Sequence, residues 1–150
     1  MRFEIANPDA MHELGIRIAA ELRAGDLVLL NGPLGAGKTT LTRGLGEGLG
    51  AQGTIQSPTF VLARTHKTTL GPKLVHVDAY RLGSAMELDD LDIDFPNSIV
   101  VVEWARDYVD GVAESWLSVD IDRTSEDEHR ALMIQGFGAR WQGVEIASGN

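Results

Sequence analysis

The sequence predicts a three-layer α/β domain whose mostly parallel central sheet is completed by antiparallel strands towards the C-terminal end. Two runs, at residues 27–30 and 99–102, are apolar at consecutive positions, which is typical of parallel strands buried on both faces. Strands alternate with helices in the first half of the chain, whereas strands dominate the second half. The 150 residues are the length of one domain. We predict a single domain at residues 1–137 and a flexible tail at residues 138–150.

The chain opens with a short edge strand at residues 3–5, which is followed by a helix. Asn7 is a favourable N-cap and Pro8 suits the first helical position. Gly25 is expected to end this helix. The apolar residues of the helix share one face: Met11, Leu14, Ile18 and Leu22. That face should pack on a sheet.

A glycine-rich loop at residues 32–37 follows the first buried strand and leads into a second helix at residues 38–50. The helix contains glycine at three alternate positions: Gly44, Gly46 and Gly48. Each of these costs about 1 kcal/mol relative to alanine in a helix interior. We therefore expect this helix to be held by close packing against its neighbours and not by its intrinsic propensity.

The second half of the chain predicts strands separated by turns and one short helix. Gly71 and Pro72 form a turn, and Ser84 with Glu87 has the pattern of a capping box at the start of a helix over residues 84–91. The strands are predicted at residues 60–63, 74–79, 99–102, 116–121 and 131–137.

Composition excludes several classes of site. The formal net charge is −9, so the bulk field of the chain does not attract nucleic acid, and another subunit would have to hold it. There are no cysteines, which excludes disulfides, thiolate nucleophiles and cysteine-based zinc sites. No apolar run approaches the ~20 residues of a membrane span. No secretory signal is indicated, and we expect a cytoplasmic protein.

The residues with the clearest chemistry are Gly-Pro-Leu-Gly-Ala-Gly-Lys-Thr at positions 32–39, which fit the phosphate-loop pattern G-x-x-x-x-G-K-[ST]. The segment lies between a buried strand and a helix, as a P-loop NTPase-like domain requires. Its glycines let successive amides point at phosphate oxygens, and the positive end of the helix adds to that field. Lys38 would reach the β- and γ-phosphates, and Thr39 would place its hydroxyl on Mg²⁺.

Two acidic residues at strand ends are candidates for holding magnesium or orienting a water. Asp78 closes the strand that begins at Leu74, and Glu103 closes the strand at 99–102. The residues alone leave open which of the two touches the metal. His76 shares a strand face with Asp78, and we interpret it as a buried core histidine in preference to a catalytic one.

Further candidates lie downstream of the loop helix. Thr59, in Ser-Pro-Thr-Phe, could offer a hydroxyl to the γ-phosphate, magnesium or water, although a turn with a buried Phe60 also explains the segment. Arg81 could stabilise phosphate charge or form a structural ion pair. Trp104 is most simply a packing residue. The acidic stretch at 87–94 does not fit a calcium loop, and is either a solvated face or a docking surface for a basic partner.

Taken together, these motifs resemble those of the TsaE family, formerly called YjeE. The matching segments follow one another in order along most of the chain: Gly25-Asp26, LGAGKTT at 34–40, SPTF at 57–60, HVDAYRL at 76–82 and Glu103-Trp104. One departure is Pro33, where the family more often has Asp. We expect little effect there, because the carbonyl and side chain of that position should point away from the amide cradle.

The resemblance implies binding of ATP and Mg²⁺, with Asp78 and Glu103 needed for hydrolysis. It also implies partners, because the family's ATPase works on a complex of TsaD with TsaB that moves a threonylcarbamoyl group onto adenosine 37 of tRNAs reading ANN codons. ATP hydrolysis would reset that complex, and tRNA would be held by the other subunits. The candidate residues are then Gly35, Ala36, Gly37, Lys38, Thr39 and Thr40 for the nucleotide, Thr39 and Glu103 for magnesium, and Asp78, Glu103 and Thr59 for catalysis.

Three alternative functions would each require particular residues. A GTPase should carry an Asn-Lys-x-Asp guanine reader, which the sequence lacks. A small-molecule kinase should show an acceptor-binding insertion and an arginine-bearing lid, for which the basic residues are few and scattered. A non-hydrolysing nucleotide-dependent docking module would keep Lys38 without needing both Asp78 and Glu103.

Overall fold

A computed structural model of the protein describes residues 1–33, 35–53, 55, 63–78, 93–103, 113–123 and 128–147. The strands within these ranges are β1 (Arg2–Ile5), β2 (Leu27–Asn31), β3 (Ala63–His66), β4 (Lys73–Asp78), β5 (Ser98–Glu103), β6 (Trp116–Asp122) and β7 (Arg130–Phe137). The α-helices are α1 (Pro8–Ala19) and α2 (Lys38–Leu49). Two short 3₁₀-helices span Phe95–Asn97 and Ala139–Trp141. None of the helices in the described ranges is long and apolar enough to cross a membrane.

All of these strands join one sheet in the order β1-β7-β6-β2-β5-β4-β3. The four central strands, β6, β2, β5 and β4, are parallel to one another. β7 runs antiparallel to β6 and to β1. This confirms the predicted α/β class, with a mostly parallel centre and antiparallel C-terminal strands. The other edge is also antiparallel, through β3 against β4, which the sequence did not predict.

The central strands are buried on both faces, which explains their unbroken apolar runs. Val28 and Leu30 of β2 pack in the larger core cluster together with α1 and α2. Leu27 and Leu29 of the same strand belong to a second cluster on the opposite face, with valines of β4 and β5. Because side chains alternate along a strand, a strand with apolar residues at every position needs a cover on each side.

α1 and α2 approach each other closely at their glycines. A Cβ added to Gly44 would lie 2.0 Å from the carbonyl oxygen of His12, and one added to Gly15 would lie 2.3 Å from that of Leu41. No other residue fits at this crossing without moving a helix backbone. The expected close packing of α2 is therefore confirmed, and the contact sets the position of the N-terminus of α2 relative to the sheet.

Residues of the predicted tail at 138–147 pack against the rest of the domain. Trp141 and Ile146 are buried in the larger core cluster. Arg140 reaches Asp26 at the start of β2, with Nε–Oδ1 and Nη2–Oδ2 distances of 2.8 and 2.9 Å, and Nη2 also donates to the carbonyl of Glu21 at 2.6 Å. The core therefore extends past residue 137, because a buried carboxylate at the foot of the central strand binds this segment. Residues 148–150 are not among those described.

Two further boundaries differ from the predictions. α1 ends at Ala19 and not near Gly25, because Glu21 and Leu22 donate to carbonyls three residues back, and this tightens the last turn. The predicted strand at 60–63 is seen only from Ala63, where β3 begins. Its first three residues, and the predicted helix at 84–91, lie outside the described ranges.

Candidate functional site

The loop between β2 and α2 contains left-handed backbone at two glycines of the phosphate-loop pattern. Gly35 and Gly37 have φ values of 77° and 109°, in the left-handed region that favours glycine. Gly37 is the N-cap residue of α2 and provides no side-chain cap. The first amides of α2 are thus left for another acceptor, and they lie at the positive end of the helix dipole. Thr39 and Thr40 stand partly buried in this first turn.

Lys38 is buried and turns back onto the loop. Its Nζ donates to the carbonyl oxygens of Gly32 and Pro33, at 2.6 and 3.3 Å. Burial lowers the pKa of Lys38, and the negative charges of Glu103 and Asp78 oppose that shift. The ammonium group therefore lies within the electrostatic field of both predicted carboxylates.

Pro33 differs from its expected orientation. Its carbonyl oxygen accepts from the amide of Ala36 at 3.1 Å as well as from Lys38. It is thus part of the loop's own hydrogen bonding and does not point away from it. Compared with aspartate, proline lacks the backbone amide hydrogen and the acidic side chain but has the same backbone carbonyl. Either residue at position 33 can therefore accept these hydrogen bonds.

Asp78 and Glu103 lie side by side at the carboxyl ends of β4 and β5. They are direct partners in the parallel register, and Glu103 is also paired with Leu30 of β2, just before the loop. Both carboxylates are buried. The fold therefore brings together the three charged residues that the sequence assigned to one site, because parallel neighbours end at the same edge of the sheet.

The donor set suits magnesium. The Thr39 hydroxyl and the two carboxylates offer only oxygen, the ligand that Mg²⁺ prefers. Across the described ranges, no cluster of three or more His, Asp or Glu side chains forms a complete metal cage. Magnesium fits such a site, since it usually keeps several waters and takes one or two carboxylates together with phosphate oxygens.

His76 is fully buried beneath these carboxylates. Its Nε2 lies 3.1 Å from Oε2 of Glu103. Its Nδ1 is also buried, and it has no hydrogen-bond partner in the described part of the chain. The interpretation of His76 as a core histidine is correct, because the side chain is buried. That interpretation did not include its contact with Glu103. The available signal was the two-residue spacing from Asp78, which places both side chains on one face of β4.

A cavity of about 130 Å³ opens beside the loop. Its walls combine the start of α1, the loop and the start of β7; they are Asn7, Pro8, Met11, Gly35, Ala36, Gly37, Thr40, Glu128 and Arg130. Arg130 Nη2 lies 3.4 Å from the carbonyl oxygen of Gly35. Apart from the loop residues and Thr40, none of this lining was identified from the sequence as part of the site, because segments about 120 residues apart meet here only through the pairing of β1 with β7.

Three residues singled out in the sequence, Thr59, Arg81 and Trp104, fall outside the described ranges, as does most of the acidic stretch at 87–94. Their roles stay predictions. Asp94, at the end of that stretch, accepts hydrogen bonds from the side chain of Asn97 at 3.0 and 3.3 Å.

Comparison with known proteins connects this arrangement to one family. The profile of the family described as "Threonylcarbamoyl adenosine biosynthesis protein TsaE" matches residues 5–132. A tRNA threonylcarbamoyladenosine biosynthesis protein TsaE from Streptomyces coelicolor is 52% identical over 144 residues, covering 91% of this chain and 97% of that one. The protein of the same name from Bacillus subtilis is 32% identical, with 95% and 89% covered. The crystal structure of Bacillus subtilis YdiB superposes with a TM-score of 0.77 at 28% identity, covering 95% of this chain and 88% of that one.

Proposed function

The chain belongs to the TsaE family, and from that premise we propose that it binds ATP with Mg²⁺ and hydrolyses it as a subunit of the machinery that modifies adenosine 37 of tRNA. The observation that carries the proposal is the meeting of Lys38, Asp78 and Glu103 at the uncapped N-terminus of α2. Burial of one lysine with two carboxylates is typical of a functional site, and a magnesium–phosphate ligand would interact with all three.

Residues at different positions of the site would have different roles in ATP binding and hydrolysis. The amides of Gly35, Ala36 and Gly37 and the first turn of α2 would bind phosphate oxygens, with Lys38 on the β- and γ-phosphates. Thr39 and Glu103 would hold magnesium, which when bound offsets the charge that develops on the phosphates. Asp78, next to Glu103, would orient the attacking water, with Thr59 closing over the γ-phosphate.

The small cavity beside the loop supports a place for the nucleoside. It adjoins Thr40, the third residue of α2, from which the sugar and base of a nucleotide would continue away from Lys38. At about 130 Å³ it is well below the roughly 300–1,000 Å³ of a site for a whole small molecule. A volume of this size would hold a portion of one nucleotide.

We propose that the activity depends on TsaD and TsaB subunits. The names of the relatives place them in tRNA threonylcarbamoyladenosine biosynthesis. A chain of net charge −9 is poorly suited to gripping tRNA itself. The tRNA would then be contacted through the partners, in the cytoplasm, and ATP hydrolysis would reset the partner complex between turnovers.

The test measures Mg-ATP binding by calorimetry and phosphate release with and without a TsaD–TsaB complex. We expect slow turnover alone and faster turnover in complex. Lys38→Ala should abolish binding, because it removes the only lysine at a site that must neutralise several charges. Glu103→Ala should keep binding and lose turnover. Lys73→Ala and Glu145→Ala change exposed residues of the same types and serve as controls.

Each alternative has its own result. Binding without turnover in the presence of partners would support the non-hydrolysing docking module. Phosphorylation of a free sugar or nucleoside by the isolated chain would support a kinase. Normal hydrolysis by Glu103→Ala would show that the assignment of the strand-end carboxylate is wrong.

A further inference from the structure

We propose that His76 is a positioning residue, which holds the Glu103 carboxylate in one orientation beside the phosphate loop by donating a hydrogen bond from Nε2. The inference rests on the proposed function, because it concerns the use of Glu103 in ATP hydrolysis. It adds a residue that is set back from the loop, and whose role follows from the tertiary structure alone.

The register of β4 and β5 explains why this bond forms diagonally. His76 is the direct partner of Val101, and Asp78 is the direct partner of Glu103. Glu103 thus has a like charge directly opposite it, on a strand only ~4.8 Å away. Two neighbouring carboxylates repel each other. The bond from His76, 3.1 Å from Oε2, holds Glu103 against that repulsion.

The surroundings of His76 select one tautomer. The side chain is 0% exposed, and Nδ1 has no partner within the described residues. In the other tautomer, a proton on Nδ1 would be a buried donor without an acceptor among the described residues. With the proton on Nδ1 of a neutral ring, the lone pair of Nε2 would also face the carboxylate oxygen. The tautomer with its proton on Nε2 is therefore favoured, and this nitrogen donates to Glu103.

The bond also leaves most of the acceptor capacity of Glu103 available. It uses one lone pair of Oε2, and the other lone pairs of the carboxylate remain for magnesium or a water. Asp78 lies on the same face of β4 as His76. Groups behind a ligand or catalytic carboxylate that fix its orientation typically contribute 10–100-fold to metal affinity or activity.

Two substitutions separate the hydrogen bond from the space that the ring fills. His76→Leu fills the space with an apolar side chain and removes the hydrogen-bond donor, whereas His76→Gln keeps an N–H donor at a similar distance. His66→Leu, at a second buried histidine on the edge strand β3, controls for the loss of any buried imidazole. All variants are compared with the wild-type chain in the presence of the TsaD–TsaB complex.

We expect His76→Leu to lower kcat by about 10–100-fold while the dissociation constant for ATP changes by less than about 3-fold. His76→Gln should recover most of the rate, and His66→Leu should hydrolyse ATP as the wild type does. Normal turnover by His76→Leu would overturn the inference, as would a His76→Gln variant as slow as His76→Leu. If wild-type protein binds no ATP, the proposed function fails separately from this result.

A second measurement does not depend on activity or on the folding of a His76 variant. The chain has four histidines, so ¹⁵N-detected imidazole signals of the free protein can be assigned with variants at the other three. We expect His76 to carry its proton on Nε2 at pH 7, and this signal to shift and exchange faster with water in Glu103→Ala. A proton on Nδ1, or a His76 signal unchanged by Glu103→Ala, would refute the proposed contact.

Discussion

The contact between Arg140 and Asp26 provides a strong test of how the C-terminal segment supports the sheet. Asp26 precedes β2, the strand that leads into the phosphate loop. Its side chain is 3% exposed and that of Arg140 is 15% exposed. Arg140→Met keeps an aliphatic chain of similar length near Trp141 and removes the guanidinium group. The variant therefore leaves a buried carboxylate without its charge partner.

The magnitude follows from the burial of this pair. Removing one partner of a buried pair costs about 3–5 kcal/mol, because the other charge remains desolvated. Asp26 still accepts from the amide of Arg23 at 2.8 Å, which favours the lower end. We expect the free energy of unfolding to fall by about 3 kcal/mol, from a total of roughly 5–15 kcal/mol. At about 2–4 °C per kcal/mol for a chain of this size, Tm should fall by roughly 6–12 °C.

The assay is urea unfolding followed by tryptophan fluorescence, with a thermal scan on the same samples. Arg2→Met is the matched control, since the Arg2–Glu4 pair is exposed and water screens its interaction. The double variant Asp26→Asn with Arg140→Met should be more stable than Arg140→Met alone, because a neutral amide carries no buried charge. An Arg140→Met variant within about 1 kcal/mol of wild type, or a double variant as unstable as the sum of its singles, would refute the reasoning.

Two other predictions concern the loop lysine and the helix crossing. At pH 7, Lys38→Met should leave the free energy of unfolding of the ligand-free chain unchanged or higher, because burial lowers the pKa of Lys38 and so disfavours its charged form in the folded state. The unfolded chain then binds more protons, so wild type should gain stability relative to Lys38→Met as pH rises towards 10.5. Urea unfolding of both proteins at pH 7.5 and 9.5 measures this, and a wild type that loses stability relative to Lys38→Met between these pH values contradicts it. Gly44→Ala should destabilise the protein by about 1–3 kcal/mol despite the higher helix propensity of alanine, because the new Cβ meets the backbone of α1. Gly46→Ala is its control, since the nearest atom there is the end of the Ile55 side chain, which can rotate; equal effects of the two substitutions in urea unfolding would be inconsistent with the helix-crossing argument.

Local patterns in the sequence predicted much of the fold and the central residues of the candidate site. The apolar runs predicted β2 and β5, because a strand buried on both faces cannot alternate. Gly35, Gly37 and Lys38 predicted the loop, since left-handed backbone and a lysine at the helix start are properties of neighbouring residues. The strand ends predicted that Asp78 and Glu103 would share one edge of the sheet.

Other features depend on residues that are far apart in the chain. The pairing of β1 with β7 brings Arg130 to the loop beside Asn7, and Arg140 reaches Asp26 across more than 100 residues. The bond between His76 and Glu103 requires that β4 and β5 be neighbours in register, and sequence spacing does not specify which strands become neighbours. Sequence alone therefore determined the periodicity and backbone conformation of individual segments, because these depend on adjacent residues. Only the tertiary structure decided which buried polar groups contact each other. Those contacts depend on the order of the strands in the sheet, and a buried charge is stable only where the fold brings a hydrogen-bonding or oppositely charged group next to it.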